Sequence, residues 1–579
     1  MDGERPRRRL PVRQPRQGRP HRRLHRHVGD VRQRDLRLQH GDVLPLPIPG
    51  EQDGRADGRR RPAGASREGP PPVPARGRAP DGDDHEDPVM GGSRPRSGSA
   101  VDSLLLAGVK FATLGSTMAN TMILSRSLSL EAYGTYAQGV LVVALCADAT
   151  VLGLVDAVNF FFNRDSRESV TREYVNAIFV MQLVIGVVTA VLLVALRGAI
   201  GGYFSNPMLP ALIVLLAFRP MLTNMASVLQ VLMMSIGRAR AIVVRNVAFA
   251  ALKFVAVLIT ALLTSSIAVL FAMLLALDVL SVLWFWDCFR RWKYMIRPSR
   301  PRWGRIREIL SFSLPMAAYV LTASLMRQIG ELVIGMHEST QRYAIYANCA
   351  TILPLDVVSA SFLTVIIPIV TRYIAAGRRD RVRLLFKHYL AVGYLTTVTF
   401  SVSCFVVAPE AIQVLYGARY LPGYGVFCLY LVATMARFAS LSLILSAAGR
   451  TKALMVVSLV AVAFNALLCV VLYSLMGFIG PALASVLVNV GMAAVLVRLS
   501  LKEVGGSLAT AFDAGALGVY VLSMIGAALA GWALRRALMA LGLPVPVIAA
   551  LVMCAVSAAV LLINIKSLTA SLRAINSMK

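Results

Sequence analysis

Ten ionisable side chains sit inside stretches that are otherwise apolar: Lys110, Asp148, Asp156, Arg219, Lys253, Asp278, Arg327, Glu331, Asp356 and Arg437. Placing one such group at the centre of a membrane helix costs about 2.5–3.5 kcal/mol, so it usually faces a water-filled cavity or a partner. Cations in a hydrated pathway suit an anion such as a diphosphate. Arg327, Asp356 and Asp148 are the candidates for lining such a cavity. Interleaved carboxylates suit coupling to H+ or Na+, and equally suit plain charge balance. A plainer reading stands beside each. Arg327 and Glu331 are four residues apart and could neutralise each other on one helix face. Lys253 and Asp278 could form an ion pair on consecutive helices, and Lys110 and Asp156 lie close enough to the inner surface to be hydrated. Arg219 precedes Pro220, where a kink would free backbone carbonyls for it to contact. The seven cysteines are scattered through apolar segments without a CxxC pair, so they read as small core residues rather than metal ligands or disulfides. No cofactor is implied.

These charges are carried by apolar stretches of some 20 residues, the length an α-helix needs to cross a bilayer. The sequence predicts an all-α polytopic membrane protein with about fourteen transmembrane helices. They span about 104–124, 133–157, 174–196, 209–233, 242–263, 266–286, 308–335, 344–371, 388–408, 423–447, 453–475, 478–498, 513–534 and 545–565. Alternate loops are rich in Arg and Lys: Arg164 to Arg172, Arg238 to Arg245, Arg290 to Arg307, Arg372 to Lys387, Arg450 with Lys452, and Arg498 with Lys502. The opposite loops hold few basic residues, which places both termini in the cytoplasm.

Three landmarks recur at a near-constant offset. "EAYGTYAQ" (Glu131 to Gln138) returns as "QRYAIYAN" (Gln341 to Asn348), 210 residues on. "SIGRARA" (Ser235 to Ala241) returns as "SAAGRTKA" (Ser446 to Ala453), with Gly237 and Gly449 offset by 212, and Ile267 matches Ile479 at the same offset. The repeat predicts two six-helix lobes, 104–286 and 308–498, joined by a basic cytoplasmic linker over 287–307 and followed by a helix pair over 513–565. Six is even, so the lobes share one membrane orientation, related by an axis along the membrane normal.

Residues 1–98 are different in kind. They are dense in Arg, Pro, Gly and Asp, contain no Lys and hold five of the seven His. Such a segment buries too little apolar surface to offset its chain entropy, and disorder is expected. It reads either as a basic cytoplasmic tail or as translation upstream of the true start. The second reading is preferred, because the basicity is all Arg and Met90 offers a start just before the first helix. The net charge of +29 is therefore no argument for a nucleic-acid partner, since the remaining basic residues lie in loops that topology explains.

Particular residues carry a resemblance. "LSRSLSLEAYGTYAQ" (Leu124 to Gln138), "FSLPMAA" (Phe312 to Ala318), "APEAIQVLYGARYLPG" (Ala408 to Gly423) and the Gly-Arg after helices four and ten resemble the polysaccharide flippase branch of the multidrug/oligosaccharidyl-lipid/polysaccharide exporter superfamily. The likeness covers about Leu104 to Asn564, and its most specific piece is Pro-Glu…Leu-Tyr-Gly…Tyr. It implies a non-enzymatic flippase of the bacterial inner membrane that moves polyprenyl-diphosphate-linked oligosaccharide to the outer leaflet. Membrane lipids, a polysaccharide polymerase and export machinery would be its partners. By that likeness Lys110, Arg327 and Arg437 would meet the diphosphate or acidic sugars, and Asp148, Glu331 and Asp356 would be counterions or coupling sites. A multidrug or cation antiporter of the same superfamily is the nearest rival, favouring a carboxylate-led, aromatic-rich pocket. A membrane glycosyltransferase or polymerase is further off, because the loops are short and hold no paired carboxylates or His cluster.

Overall fold

The computed structural model describes residues 100–164, 168–292, 301–350 and 357–578. The segment expected to be disordered over 1–98 lies outside these residues, as do Asp356 and the side chain of Lys110. The described chain is helical, with no strand among the described residues. Ten of its helical segments are long and apolar enough to cross a membrane. Their outward faces carry large apolar side chains, such as Leu263 at 77% and Leu522 at 71% exposure. In water such a belt would drive aggregation; in lipid it is matched to its solvent. The protein is a multi-pass membrane protein.

The first part of the chain forms α1 (Ala100–Ser127), α2 (Leu130–Thr150), α3 (Leu154–Arg164), α4 (Glu168–Ala195), α5 (Arg197–Tyr203), α6 (Leu209–Leu216), α7 (Arg219–Ser235), α8 (Ala239–Ile259) and α9 (Ile267–Arg291). Two of the helices expected in this first part are broken. The second divides at Leu152 and Gly153, both at positive φ, and the fourth divides just ahead of Arg219 and Pro220. Proline suits the first turn of the new helix, where its missing N–H would have no partner anyway. Then come α10 (Trp303–His337), α11 (Thr340–Cys349), α12 (Val357–Ala375), α13 (Arg379–Gly393), α14 (Thr399–Val406), α15 (Ala408–Leu415), α16 (Tyr424–Ala436) and α17 (Leu443–Ala447). The chain ends with α18 (Thr451–Met476), α19 (Gly480–Val504), α20 (Leu508–Ala511), α21 (Ala514–Ala540), α22 (Val545–Ile563) and α23 (Ile565–Ser577).

The sequence landmarks are matching local structures. Ser129 caps α2 by accepting from the Ala132 N–H, and Ser339 caps α11 by accepting from the Arg342 N–H. After α7, Gly237 (φ 79°) turns the chain, with Gly237 N–H donating to Met234 and Arg238 N–H to Met233. After α17, Gly449 (φ 69°) does the same, bonding to Ser446 while Arg450 bonds to Leu445. Both are Schellman ends, which explains why a glycine and the residue after it recur together.

α2 and α11 meet closely. A Cβ at Gly134 would stand 2.1 Å from the Thr340 carbonyl oxygen, so only glycine permits the approach. Beside it the Tyr133 hydroxyl donates to Asn348 Oδ1 at 2.6 Å, and Tyr420 packs edge-on against Tyr133. The Ala408–Gly423 stretch completes this junction. Arg126 donates to the carbonyls of Gln413 and Val414, Arg419 donates to that of Ser125, and buried Glu410 pairs with Arg535 at 2.9 Å.

α10 is shared between the two parts. Its first turns pack Ile309 with Phe161, Tyr174 and Phe285 of α3, α4 and α9, and Phe312 stacks on Phe160. Glu308 accepts from Arg164 at 2.8 Å and from the Tyr174 hydroxyl at 2.6 Å. Its last turns instead pack Ile329 against Cys469 of α18 and Ala484 of α19. At 35 residues the helix is about 52 Å long, far more than a bilayer core requires, so it can serve both neighbourhoods.

The close approach generates a test. Gly134→Ala is expected to lower stability by about 1–3 kcal/mol, read as an earlier thermal unfolding midpoint, because backbone must move. Gly115→Ala, which meets nothing within 4 Å, is the control expected to leave the midpoint unchanged or raised.

Candidate functional site

A cavity of about 600 Å³ opens among α1, α2, α7, α8 and α9. Helical spacing explains its charged wall. Residues 245, 249 and 253 lie four apart on one face of α8, and residues 278, 281 and 285 lie three or four apart on the facing side of α9. Arg219 enters from the broken start of α7. A cation at a helix N-terminus opposes the helix dipole, so this one needs a partner. It has one: Arg219 Nε donates to Asp278 Oδ2 at 2.8 Å, with side chains only 12% and 11% exposed. Lys253 Nζ lies 4.0 Å from the other oxygen of the same carboxylate.

Arg245 is held differently. Its guanidinium donates to Asn246 Oδ1 at 3.0 Å and to Ser281 Oγ, and packs over the rings of Phe249 and Phe285. Its partners within hydrogen-bond reach are neutral, and its Nε is buried without an acceptor. The cavity wall thus carries three cations, Arg219, Arg245 and Lys253, against two carboxylates, Asp148 and Asp278. Asp148 is itself engaged by α10, accepting from Ser324 and, at 3.5 Å, from Gln328. Asp278 is shared by two cations. The arrangement presents net positive charge and unused donors to whatever enters, lined between by Thr223, Ser227 and Gln230.

The residues singled out from the sequence are dispersed. Asp148 lines this cavity. Arg437 lies at the break after α16 and lines a second space of about 300 Å³ with Ser440, Ser442 and Asn489. Arg327 is exposed on α10 and donates to the Ala323 carbonyl at 3.0 Å. Glu331, one turn on, accepts from the Tyr343 hydroxyl at 3.3 Å, so the two do not neutralise each other as an ion pair. Lys110 is on α1 with its side chain outside the described residues, and Asp356 lies outside them altogether. The expected Lys253–Asp278 contact is present, but Arg219 is the nearer partner. Arg219 therefore turns to a carboxylate on another helix, whereas its sequence neighbour Pro220 pointed to freed carbonyls. Arg245 was missed as a lining residue because it was counted with a basic loop; α8 starts at Ala239, nearly two turns earlier. The 245–249–253 spacing was the available signal.

Residues 123–424, more than half of the chain, match the model of a family described as polysaccharide biosynthesis protein. The chain belongs to that family. Its fold is similar to that of the lipid II flippase MurJ in an inward closed conformation (TM-score 0.60, 12% identity, 79% of this chain and 98% of that one). It is also similar to a multidrug resistance MATE family transporter of the MOP superfamily in an inward-facing conformation (TM-score 0.54, 14% identity, 69% and 98%). At these identities the likeness concerns the fold alone. A comparison with proteins of curated function gives no match. The family match begins at Ile123, beside the Leu124 to Gln138 motif, and runs through the whole of the Ala408–Gly423 stretch.

The Arg219–Asp278 pair is testable as a structural element of this family member. Asp278→Asn strands a desolvated guanidinium and is expected to cost on the order of 3 kcal/mol. Thermal unfolding of the purified protein should show Asp278→Asn less stable than the double variant Arg219→Met/Asp278→Leu. The reverse order would mean the pair does not hold the cavity wall.

Proposed function

We propose that this protein is a flippase for polyprenyl-diphosphate-linked oligosaccharide, carrying repeat units from the cytoplasmic to the outer leaflet of a bacterial inner membrane. The observation that carries the reading is the cationic cavity. Three basic side chains face two carboxylates, one of which, Asp278, is already occupied by Arg219. A diphosphate offers several charged acceptor oxygens, and the planar guanidinium of Arg245 with its unfilled Nε is suited to them. The family's description as polysaccharide biosynthesis protein and a fold like that of a lipid II flippase support a lipid-linked sugar as cargo.

In this reading the chain makes fourteen crossings, as two six-helix lobes over 104–286 and 308–498 and a terminal pair over 513–565, with both termini in the cytoplasm. The lobes rock about the junction of α2 with α11, exposing the polar cavity first to one side and then to the other. No bond is made or broken, so the protein is not an enzyme. Arg327, Arg437 and Lys110 act as further anion contacts, and Asp148 and Asp356 as counterions. Glu331, between Arg327 and Tyr343, is the coupling carboxyl: taking up H+ or Na+ there removes a charge that must otherwise be desolvated as the lobes move. The antiporter reading is weaker, because a drug cation would meet net positive charge.

The decisive experiment uses a deletion strain in which lipid-linked oligosaccharide on the inner leaflet and polysaccharide at the surface are both measured. Arg245→Ala and Arg327→Ala are expected to leave oligosaccharide accumulated inside and polysaccharide missing outside, while wild type restores both. Normal polysaccharide with new sensitivity to cationic drugs would sink the flippase and favour the antiporter. Glu331→Gln should flip at a rate that no longer responds to an imposed pH gradient in vesicles; an unaltered response would move the coupling elsewhere.

A further inference from the structure

Beside the C-terminal half of α19 runs a groove of about 720 Å³. Its walls are apolar: Phe438 and Leu441 from the α16–α17 connection, Val497 and Leu501 from α19, and Phe512 ahead of α21. Its rim carries Arg498 and Lys502, four residues apart and so on one face of the helix. Both are exposed, and neither has a carboxylate within ion-pair distance among the described residues. The acid that follows Lys502 in sequence, Glu503, pairs instead with Arg450 at 3.1 Å.

A second space adjoins the groove. Leu441 and Ala493 line both it and the second cavity, where Arg437 stands with Ser440, Ser442 and Asn489. Asn489 is nine residues before Arg498, about 13 Å deeper along the α19 axis. Two unpaired cations at the surface, an apolar trough and a third cation further in make a graded path for an amphiphilic anion. A bulk phospholipid would need only the trough and the rim. The polar, cationic space on the other side of Leu441 and Ala493 suits a lipid whose charged end travels inward.

We propose that Arg498 and Lys502 form the loading site at which the diphosphate of a polyprenyl-linked substrate first docks, before it advances to Arg437. Once it has advanced, the first isoprene units lie in the groove against Phe438, Val497 and Phe512. This proposal rests on the flippase reading and adds to it a place of entry in the second lobe, apart from the Arg245 cavity.

The test measures binding of a long-chain polyprenyl diphosphate to the full-length protein in nanodiscs, with phosphatidylglycerol as competitor. Arg498→Ala/Lys502→Ala should weaken binding about tenfold, since two charge-assisted contacts are lost. Both side chains are exposed, so unchanged thermal unfolding should accompany the loss. Ala493→Leu, which adds bulk at the wall common to the two spaces, should retain binding but slow flipping. Wild-type affinity in the double variant would overturn the loading site while leaving the flippase intact. Equal displacement by phosphatidylglycerol would overturn it in favour of a bulk-lipid site. Folded wild type that binds no polyprenyl diphosphate would remove the flippase reading as well.

Discussion

The pairing of Arg219 with Asp278 is the interaction on which the cavity depends. A guanidinium at the N-terminus of α7 opposes the helix dipole and, inside an apolar bundle, bears a large desolvation cost. The carboxylate on α9 offsets both, and with that charge settled, α7 and α9 can face each other across a polar space. Lys253 then shares the same carboxylate at longer range. Arg245, lower on the same face of α8, is left with neutral partners and aromatic rings. One ion pair thus does the structural work, and the remaining positive charge is free to meet a ligand.

The junction of α2 with α11 and the course of α10 bear on how such a cavity could be exposed to either side. At Gly134 the two short helices touch backbone to side-chain-free backbone, and the Tyr133–Asn348 hydrogen bond and the Arg126 and Arg419 contacts surround that point. In the proposed rocking of the lobes this close-packed point is the pivot. α10 adds a long lever whose first turns sit in one hydrophobic cluster and whose last turns sit in another. Its first turns are fastened by the Arg164–Glu308–Tyr174 contacts, which are partly exposed and therefore individually weak. Stacked Phe160 and Phe312 supply the apolar part of that attachment.

Much was legible in the sequence because a bilayer imposes simple rules. Apolar length gave the helices, and matched turn chemistry gave the repeat: a serine cap needs its own side chain, and a Schellman end needs its glycine. The break at Pro220 was also readable, since proline acts on its own backbone. Arg219's partner was not, because Asp278 is 59 residues away and nothing local selects it. For the same reason Arg327 and Glu331 suggested an i, i+4 ion pair, although Tyr343 from α11 takes the carboxylate and a carbonyl takes the guanidinium.

By itself the sequence determined the class of protein, the apolar stretches from which its helices are built, and the duplicated landmarks within it. These follow from interactions of a residue with lipid, with water or with its neighbours a turn away. Only the tertiary structure decided which charges face one another, that Asp148 and Arg437 line separate spaces, and that Arg245 belongs to a cavity wall. Those outcomes depend on which faces of distant helices are pressed together, and helical periodicity fixes the faces without naming their partners.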